Sequence, residues 1–206
     1  MNLATYVIHL PNPERKARIT AELAGAGCLK VKFVHAQEPV QGFTMSNMRR
    51  NPRGEFGCAL SHVKAIMQAV VDDVDEALFI EDDIIIGRPA HVSVPPDWKV
   101  FYFGGHPREP VQRVSEGVYR VGRFSCAEAY MLNRKSMWEF LQFWCDRAGQ
   151  PDAMFDFILG EYAAMGGGYA MYPTLTRQLA GFSHIGQKFD DKGDLIERGW
   201  RNNLAA

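Results

Sequence analysis

The sequence predicts a single α/β domain with a mainly parallel central sheet flanked by helices. Short apolar runs alternate with amphipathic segments through the first half of the chain, which is typical of parallel strands joined by helices. The 206 residues are 47% hydrophobic, which suffices for the core of one domain. No internal repeat or low-complexity linker divides the chain, so residues 1–206 are treated as one unit.

The first half contains three predicted strands and two predicted helices. The strands are expected where apolar residues are continuous, at residues 4–10, 29–34 and 77–80. Asn12 suits the capping position of a helix that starts at Pro13 and stops before Gly27. Apolar residues recur every third or fourth position over residues 55–71, which predicts a second helix with one buried face. Residues 35–53 are predicted to form a long loop.

The second half continues with further strands and two helices. The strands are expected at residues 100–103, 118–121, 127–132 and 169–172. Asn133 suits the cap of a helix over residues 134–147, and another helix is predicted over residues 152–164. The segment after Pro173 is rich in glycine and charge and shows no clear period, so no element is predicted there.

Composition and charge argue against several classes of protein. Lys and Arg total 23 and Asp and Glu total 24, and this balance disfavours a strongly basic nucleic-acid binder. The aromatic fraction of 12% disfavours a disordered chain. No apolar run reaches the ~20 residues that span a bilayer. The four cysteines form no CxxC pair, which favours free thiols and a cytoplasmic location.

Three consecutive acids, Glu81, Asp82 and Asp83, are the strongest chemical signal in the sequence. They follow an apolar strand and precede three isoleucines, and charged residues rarely stand between two buried runs without a partner. Along an extended chain, Glu81 and Asp83 point to one side and Asp82 points to the other. Two carboxylates on one side of a strand end are suitable ligands for Mg²⁺ or Mn²⁺. The alternative interpretation is a turn whose acidic side chains are simply solvated.

Six segments of the chain resemble one enzyme family in order. They read YVIHL at 6–10, GEFGCALSH at 54–62, LFIEDD at 78–83, AYML at 129–132, FDFIL at 155–159 and YPTL at 172–175. Together they resemble the characteristic segments of glycosyltransferase family 25. The second and third segments are the most specific of the six. The third resembles the family's variant of the acidic DxD motif.

The resemblance implies a GT-A fold, a single Rossmann-like domain, and transfer of a sugar from a nucleotide donor. We expect residues 1–110 to bind the nucleotide-sugar, residues 111–185 to bind the acceptor, and residues 186–206 to form a C-terminal tail. The expected reaction moves galactose or glucose from a UDP-sugar to a hydroxyl of a glycan acceptor such as lipopolysaccharide, with inversion. Mn²⁺ or Mg²⁺ is the expected cofactor, and the oligomeric state stays open.

The resemblance also implies candidate site residues. Asp83 is the expected metal ligand, with Glu81 and with His184, since many GT-A enzymes complete the metal site with a C-terminal histidine. For Ser61 and His62 the alternative role is local hydrogen bonding that fixes the preceding loop. For His184 and for the cationic candidates Arg15, Arg177 and Lys188, the alternative is an exposed surface position without a role in binding. The candidate donor-binding residues are His9, Leu10, Arg15, Ser61, His62, Glu81, Asp82, Arg177 and Lys188.

Asp156 is the candidate general base. It lies between Phe155 and Phe157, and a carboxylate among aromatic side chains can have a raised pKa that suits proton abstraction. The alternative is a charge at a helix N-terminus, worth about 0.3–1 kcal/mol. Two departures from the family concern the site: His9 replaces the usual Asn, and Glu128 stands where a His often precedes Ala-Tyr. The acceptor contact at Glu128 therefore stays open.

Two other functions are compatible with these patterns. One is glucosylation of a hydroxymethylated DNA base, as in phage enzymes, and the balanced charge argues against it because duplex binding normally uses a basic face. The other is a non-catalytic nucleotide-sugar-binding module, and the intact acid cluster argues against it.

Overall fold

The structure is a computed structural model. It describes residues 3–37, 52–87, 93–148, 150, 154–183, 188–190 and 192–204, with only the backbone described at 52–53, 181–183 and 188–190. Within these residues the helices are α1 Pro13–Gly25, α2 Pro52–Val71, α3 Arg134–Arg147, α4 Phe155–Ala164 and α5 Gly193–Leu204. The strands are β1 Ala4–His9, β2 Lys30–His35, β3 Glu76–Glu81, β4 Ile84–Ile86, β5 Val100–Tyr102, β6 His106–Pro107, β7 Gln112–Ser115, β8 Val118–Arg120, β9 Phe124–Ser125, β10 Ala129–Asn133, β11 Gly168–Met171, β12 Thr176–Gln178, β13 Gly181–Ser183 and β14 Lys188–Asp190.

The central sheet has eight strands in the order β2-β1-β3-β10-β5-β11-β8-β7. β1 is parallel to β2 and β3, and β11 is parallel to β5, while β10 lies antiparallel between β3 and β5. β8 is antiparallel to β11 and to β7, so six of the eight strands run in one direction and β8 and β10 run in the other. The predicted α/β domain with a mainly parallel sheet flanked by helices is confirmed.

Local sequence signals account for the helix starts. The Asn12 side chain accepts a hydrogen bond from Arg15 N, and Pro13 begins α1. The Asn133 side chain likewise accepts from Ser136 N at 2.8 Å and begins α3. α4 begins at Phe155, three residues after the predicted start, and residue 152 lies outside the described residues.

Alternation along the strands divides the core between the two faces of the sheet. Phe79 and Tyr130 belong to the face covered by α2, α3 and α4. Ile80 and Ala129 belong to the other face, which packs against α1. Since the side-chain period of a strand is two, Glu81 continues the first face and Asp82 continues the second.

The C-terminal segment folds into a helix that is not among the predicted elements. α5 buries Ile196 and Trp200 and partly buries Leu204, and this recurrence at every fourth position is a helical pattern that the sequence prediction missed. The indole Nε1 of Trp200 donates to Gly105 O at 2.9 Å, and its ring stacks on Tyr172 with centroids 4.7 Å apart. α5 is therefore anchored beside the end of β5. No helix in the described part of the chain is long and apolar enough to cross a membrane.

Candidate functional site

Several strands end at one edge of the sheet and bring their last residues together. β1 ends at His9 and β3 ends at Glu81, and the register pairs Ile8 with Glu81. β10 runs in the opposite direction, so its first residue, Ala129, lies at the same edge and pairs with Ile80. Ligands of open α/β sheets bind beyond the carboxyl ends of the parallel strands, which makes this edge the candidate site.

Asp82 connects the acid cluster to β1 and α1. Its Oδ2 accepts a hydrogen bond from Leu10 N at 3.0 Å, and its Oδ1 accepts from Arg15 Nη1 at 3.0 Å. The Arg18 guanidinium donates to the carbonyl oxygen of Asp82. Asp82 is only 4% exposed, so its carboxylate is engaged within the protein. The structure brings the candidates Leu10, Arg15 and Asp82 together in a contact that holds β3 against α1.

Glu81 faces α2, where it meets His62. His62 Nε2 lies 3.3 Å from Glu81 Oε1, and His62 Nδ1 lies 3.1 Å from the Tyr130 hydroxyl. The His62 ring is buried and stacks on Phe155 with centroids 4.3 Å apart. Burial alone would raise the pKa of Glu81, but the hydrogen bond and charge of His62, with the charge of Lys192, hold that pKa below its ordinary value. Glu81 is therefore a carboxylate at neutral pH.

Asp83 lies beside Glu81 and is bridged to it by Gln178 of β12. Gln178 Nε2 donates to Asp83 Oδ2 at 3.1 Å and to Glu81 Oε2 at 3.4 Å. Arg15 Nη1 lies 3.6 Å from Asp83 Oδ2. Asp83 Oδ1 is buried and has no hydrogen-bond partner among the described residues. Burial and the charge of Glu81 raise the pKa of Asp83 to about 6.

The carboxylates of Glu81 and Asp83 fit a hard divalent cation. Two carboxylates converge at one strand end, and the unpartnered Asp83 Oδ1 is an oxygen of the kind that Mg²⁺ and Mn²⁺ prefer. A second donor set shares Glu81: one ligand atom each from Cys58, His62 and Glu81 lie within 4.8 Å of one another. This sulfur, nitrogen and oxygen set suits Zn²⁺ instead. Burial raises the pKa of Cys58, so its thiol stays protonated in the metal-free protein.

Asp156 lies in the first turn of α4, close to the same edge. Its Oδ2 accepts a hydrogen bond from Cys126 N at 3.2 Å. Burial raises the pKa of Asp156 above its ordinary value, although the backbone N–H groups of Cys126 and Phe157 act against this rise. Cys126 adopts a φ of 69°, a strained conformation for a side chain of this kind. The strained turn aims its N–H at the Asp156 carboxylate.

The comparison with known proteins agrees with this geometry. Residues 2–94 match the model of glycosyltransferase family 25 (LPS biosynthesis protein). The resemblance to family 25 is confirmed. The match contains β1, α2 and β3, and so the acids at the end of β3. No curated protein sequence matches the chain.

Solved structures of other proteins are similar to this chain in fold, to different degrees. A glycosyltransferase involved in the glycosylation of the major capsid of PBCV-1 has a TM-score of 0.54 at 11% identity, covering 87% of this chain and 94% of that chain. A nucleoside-diphosphate-sugar pyrophosphorylase from Vibrio cholerae RC9 has a TM-score of 0.42 at 12% identity, covering 85% and 76%. The match to the family 25 model supports a glycosyltransferase, and the first of these structures supports the fold alone.

Two other candidates from the family 25 segments are buried near the edge. The Ser61 hydroxyl donates to Gly57 O at 2.6 Å and accepts from Gln37 N at 2.7 Å, so it holds the segment that follows β2. His9 is 3% exposed, and its ring lies 4.4 Å from the ring of His35. Within the described residues, Ser61 therefore fixes the backbone at Gln37, just after β2.

The remaining candidates lie in the second half of the chain. Arg177 is exposed on β12, and its neighbours Thr176 and Gln178 face the acids instead. Lys188 is the first residue of β14, and its side chain is outside the described part of the structure. His184 also lies outside the described residues, so its role as a metal ligand stays a prediction.

Three residues near the acids are not among the candidates from the sequence: Gln178, Lys192 and Cys58. From the sequence, Glu128 is named only as a departure from the family with an open acceptor contact, and the structure places it beside Glu81. Cys58 lies four residues before His62, on the same face of α2, which is a usable signal. Gln178 and Lys192 depend on β12 and α5, which are not among the predicted elements.

Proposed function

We propose that this protein is a divalent-cation-dependent glycosyltransferase that moves a hexose from a UDP-sugar to a hydroxyl of a glycan acceptor, with inversion. The observation that carries the proposal is the pair Glu81 and Asp83 at the end of β3, with a buried Asp83 oxygen that lacks a partner in the described structure. The match to family 25, described as an LPS biosynthesis protein, supports sugar transfer to a lipopolysaccharide-type glycan.

Asp83 and Glu81 would hold Mn²⁺ or Mg²⁺, with His184 as a further ligand. The cation, when bound, supplies positive charge to the donor diphosphate and to the leaving UDP. Arg15 lies 3.6 Å from Asp83 and offers a second positive charge at the same edge. Arg177 and Lys188 are the other proposed diphosphate contacts.

Asp156 would act on the acceptor. As the acceptor oxygen bonds to the anomeric carbon, the bond from that carbon to UDP breaks, and Asp156 takes the proton of the acceptor hydroxyl. A single displacement of this kind inverts the anomeric configuration. The raised pKa of Asp156 favours this role, because a general base works best with a pKa near the operating pH.

The test is transfer and hydrolysis of UDP-glucose and UDP-galactose with and without Mn²⁺. We expect wild type to need the metal, Asp83→Ala to lose activity, and Asp156→Asn to bind the donor without turnover. Glu116→Gln, a change at an exposed acid, is the matched control and keeps full activity. Metal-independent activity, or turnover retained by Asp83→Ala, contradicts the cation site. Turnover retained by Asp156→Asn contradicts the assignment of the base.

A further inference from the structure

Glu128 lies directly opposite Glu81 on the neighbouring strand. β10 pairs with β3 in a register that joins Ala129 to Ile80, and Glu81 N donates to Glu128 O at 3.0 Å, which extends this pairing by one residue. Residues opposite each other on antiparallel strands point their side chains to the same face, with Cβ atoms about 4.5–5.5 Å apart. Two carboxylates therefore share one face of the sheet, and like charges in that arrangement repel.

The space for the Glu128 carboxylate is created by Gly104. The register of β10 with β5 places Gly104 on the other side of Glu128, and Phe103 N donates to Ala129 O at 3.0 Å. A Cβ at position 104 would overlap Glu128 Oε1 and the Thr176 hydroxyl. The carboxylate thus lies over the bare backbone after β5, and a larger residue at 104 would displace it.

The Glu128 carboxylate is buried without enough partners. Glu128 is 1% exposed, and its Oε1 accepts a hydrogen bond from Thr176 Oγ1 at 3.4 Å. Its Oε2 has no hydrogen-bond partner in the described part of the molecule, and the same holds for Asp83 Oδ1 and Gln178 Oε1. Unpartnered buried acceptors are rare in folded proteins and call for an ion or a donor.

β12 joins these oxygens into one cluster. Thr176 and Gln178 are two residues apart and point to the same side of β12, about 6–7 Å apart along the strand. Thr176 holds Glu128, while Gln178 holds both Asp83 and Glu81. The three carboxylates are therefore gathered along one side of a single short strand.

We propose that Glu128 and Gln178, together with Asp83 and Glu81, form one all-oxygen site for a divalent cation. The proposal rests on the proposed function and adds two ligands to it. Carboxylate and amide oxygens are the ligands that Mg²⁺ and Mn²⁺ prefer, and a cation among them removes the repulsion between the acids.

Lys192 is the competing source of positive charge. It is half-buried at the start of α5, and Glu81, Glu128 and Asp83 all interact with its charge. A lysine ammonium is a single tethered charge, whereas the cluster offers unpartnered oxygens from three residues. If Lys192 alone satisfies the cluster, the protein will not take up Mn²⁺.

The test measures Mn²⁺ binding to the purified full chain, with and without UDP, from the loss of the electron paramagnetic resonance signal of free Mn²⁺. We expect wild type to bind, and Glu128→Gln and Gln178→Ala to weaken binding about 10- to 100-fold. Glu128→Gln keeps the shape and an acceptor oxygen but removes the charge, so it reports on the carboxylate itself. Glu116→Gln is the control and binds as wild type does. Thermal unfolding of each variant shows that it is folded, and Gln178→Ala carries the test if Glu128→Gln does not fold.

The outcomes separate this proposal from the proposed function. If Glu128→Gln and Gln178→Ala bind Mn²⁺ as wild type does while Asp83→Asn does not, the added ligands are refuted and the Asp83 site stands. If wild type takes up no Mn²⁺ even with UDP, both the all-oxygen site and the metal dependence of the proposed function are refuted. Weakened binding in both variants and in Asp83→Asn supports the whole site.

Discussion

Replacing the adjacent acids Asp82 and Asp83 by asparagine should change the free energy of unfolding in opposite directions. Asp82 accepts from Leu10 N and Arg15 Nη1, each at 3.0 Å. Hydrogen bonds to a charged group contribute about 1.5–3 kcal/mol each, and losing one partner of a buried pair costs about 3–5 kcal/mol. Because the Arg15 side chain is 25% exposed, we expect Asp82→Asn to lower the free energy of unfolding by about 2–4 kcal/mol.

Asp83→Asn should stabilise the metal-free protein instead. The pKa of Asp83 is about 6, against an ordinary value of 3.8. At about 1.36 kcal/mol for each pH unit of difference, its ionised form destabilises the fold by up to about 3 kcal/mol. A raised pKa gives stability that is present at low pH and lost as the pH rises through about 6. The gain from Asp83→Asn therefore appears above that pH and disappears in acid.

Urea unfolding of wild type and both variants in the presence of a chelator measures the two effects. The comparison is made above and below the pKa of Asp83, and Glu116→Gln serves as the exposed control. Two results would contradict these predictions: an Asp82→Asn variant that unfolds like wild type, or an Asp83→Asn variant that is less stable than wild type at alkaline pH. Donor binding by Asp82→Asn, measured while the variant is still folded, then separates its role in the fold from its predicted role in the site.

Three further results are expected. Because the pKa of Glu128 is raised to about 8, wild type should lose stability relative to Glu128→Gln as the pH rises from 4.5 through that value; a difference independent of pH in urea titrations would contradict this. Zn²⁺ should inhibit transfer by binding Cys58, His62 and Glu81, and Cys58→Ser should weaken this inhibition about tenfold, measured at constant Mn²⁺; equal inhibition of both proteins would count against the site. Trp200→Ala should lower the free energy of unfolding by about 3–5 kcal/mol, and the control Trp200→Phe by less, as measured by urea unfolding.

Local signals predict much of the fold. The caps Asn12 and Asn133 are in the sequence, and α1 and α3 begin directly after them. Alternation predicts that Asp82 points away from Glu81, and the structure places Asp82 against Arg15 of α1 and Glu81 against His62 of α2. These features need only a few neighbouring residues, and for that reason they can be read from one sequence.

The rest depends on contacts between distant segments. Gln178 reaches Asp83 because β12 pairs with β4, and three residues of β12 carry no period that would reveal it. Glu128 enters the site because β10 runs against its neighbours, whereas a strand parallel to them would end at this edge with a different residue. α5 has a helical spacing of apolar residues, at Ile196, Trp200 and Leu204, and could have been predicted from it, whereas its place beside β5 depends on the hydrogen bond from Trp200 to Gly105.

Because β10 is antiparallel to β3 and β5, the segment between β5 and β10 starts and ends at the same edge of the sheet. The chain leaves the edge of the sheet at Gly104 and returns to it at Glu128, side by side with its point of departure. Residues 105–127 therefore leave the edge of the sheet and return to the same place. β6 and β9 pair with each other close to the two ends of this segment. β8 pairs with β11, and among the described strands β7 pairs with β8 alone, so the turn that joins β7 to β8 can be lengthened, shortened or exchanged without moving either end of the segment. The chain can therefore vary at this turn while the acids at the sheet edge keep their positions.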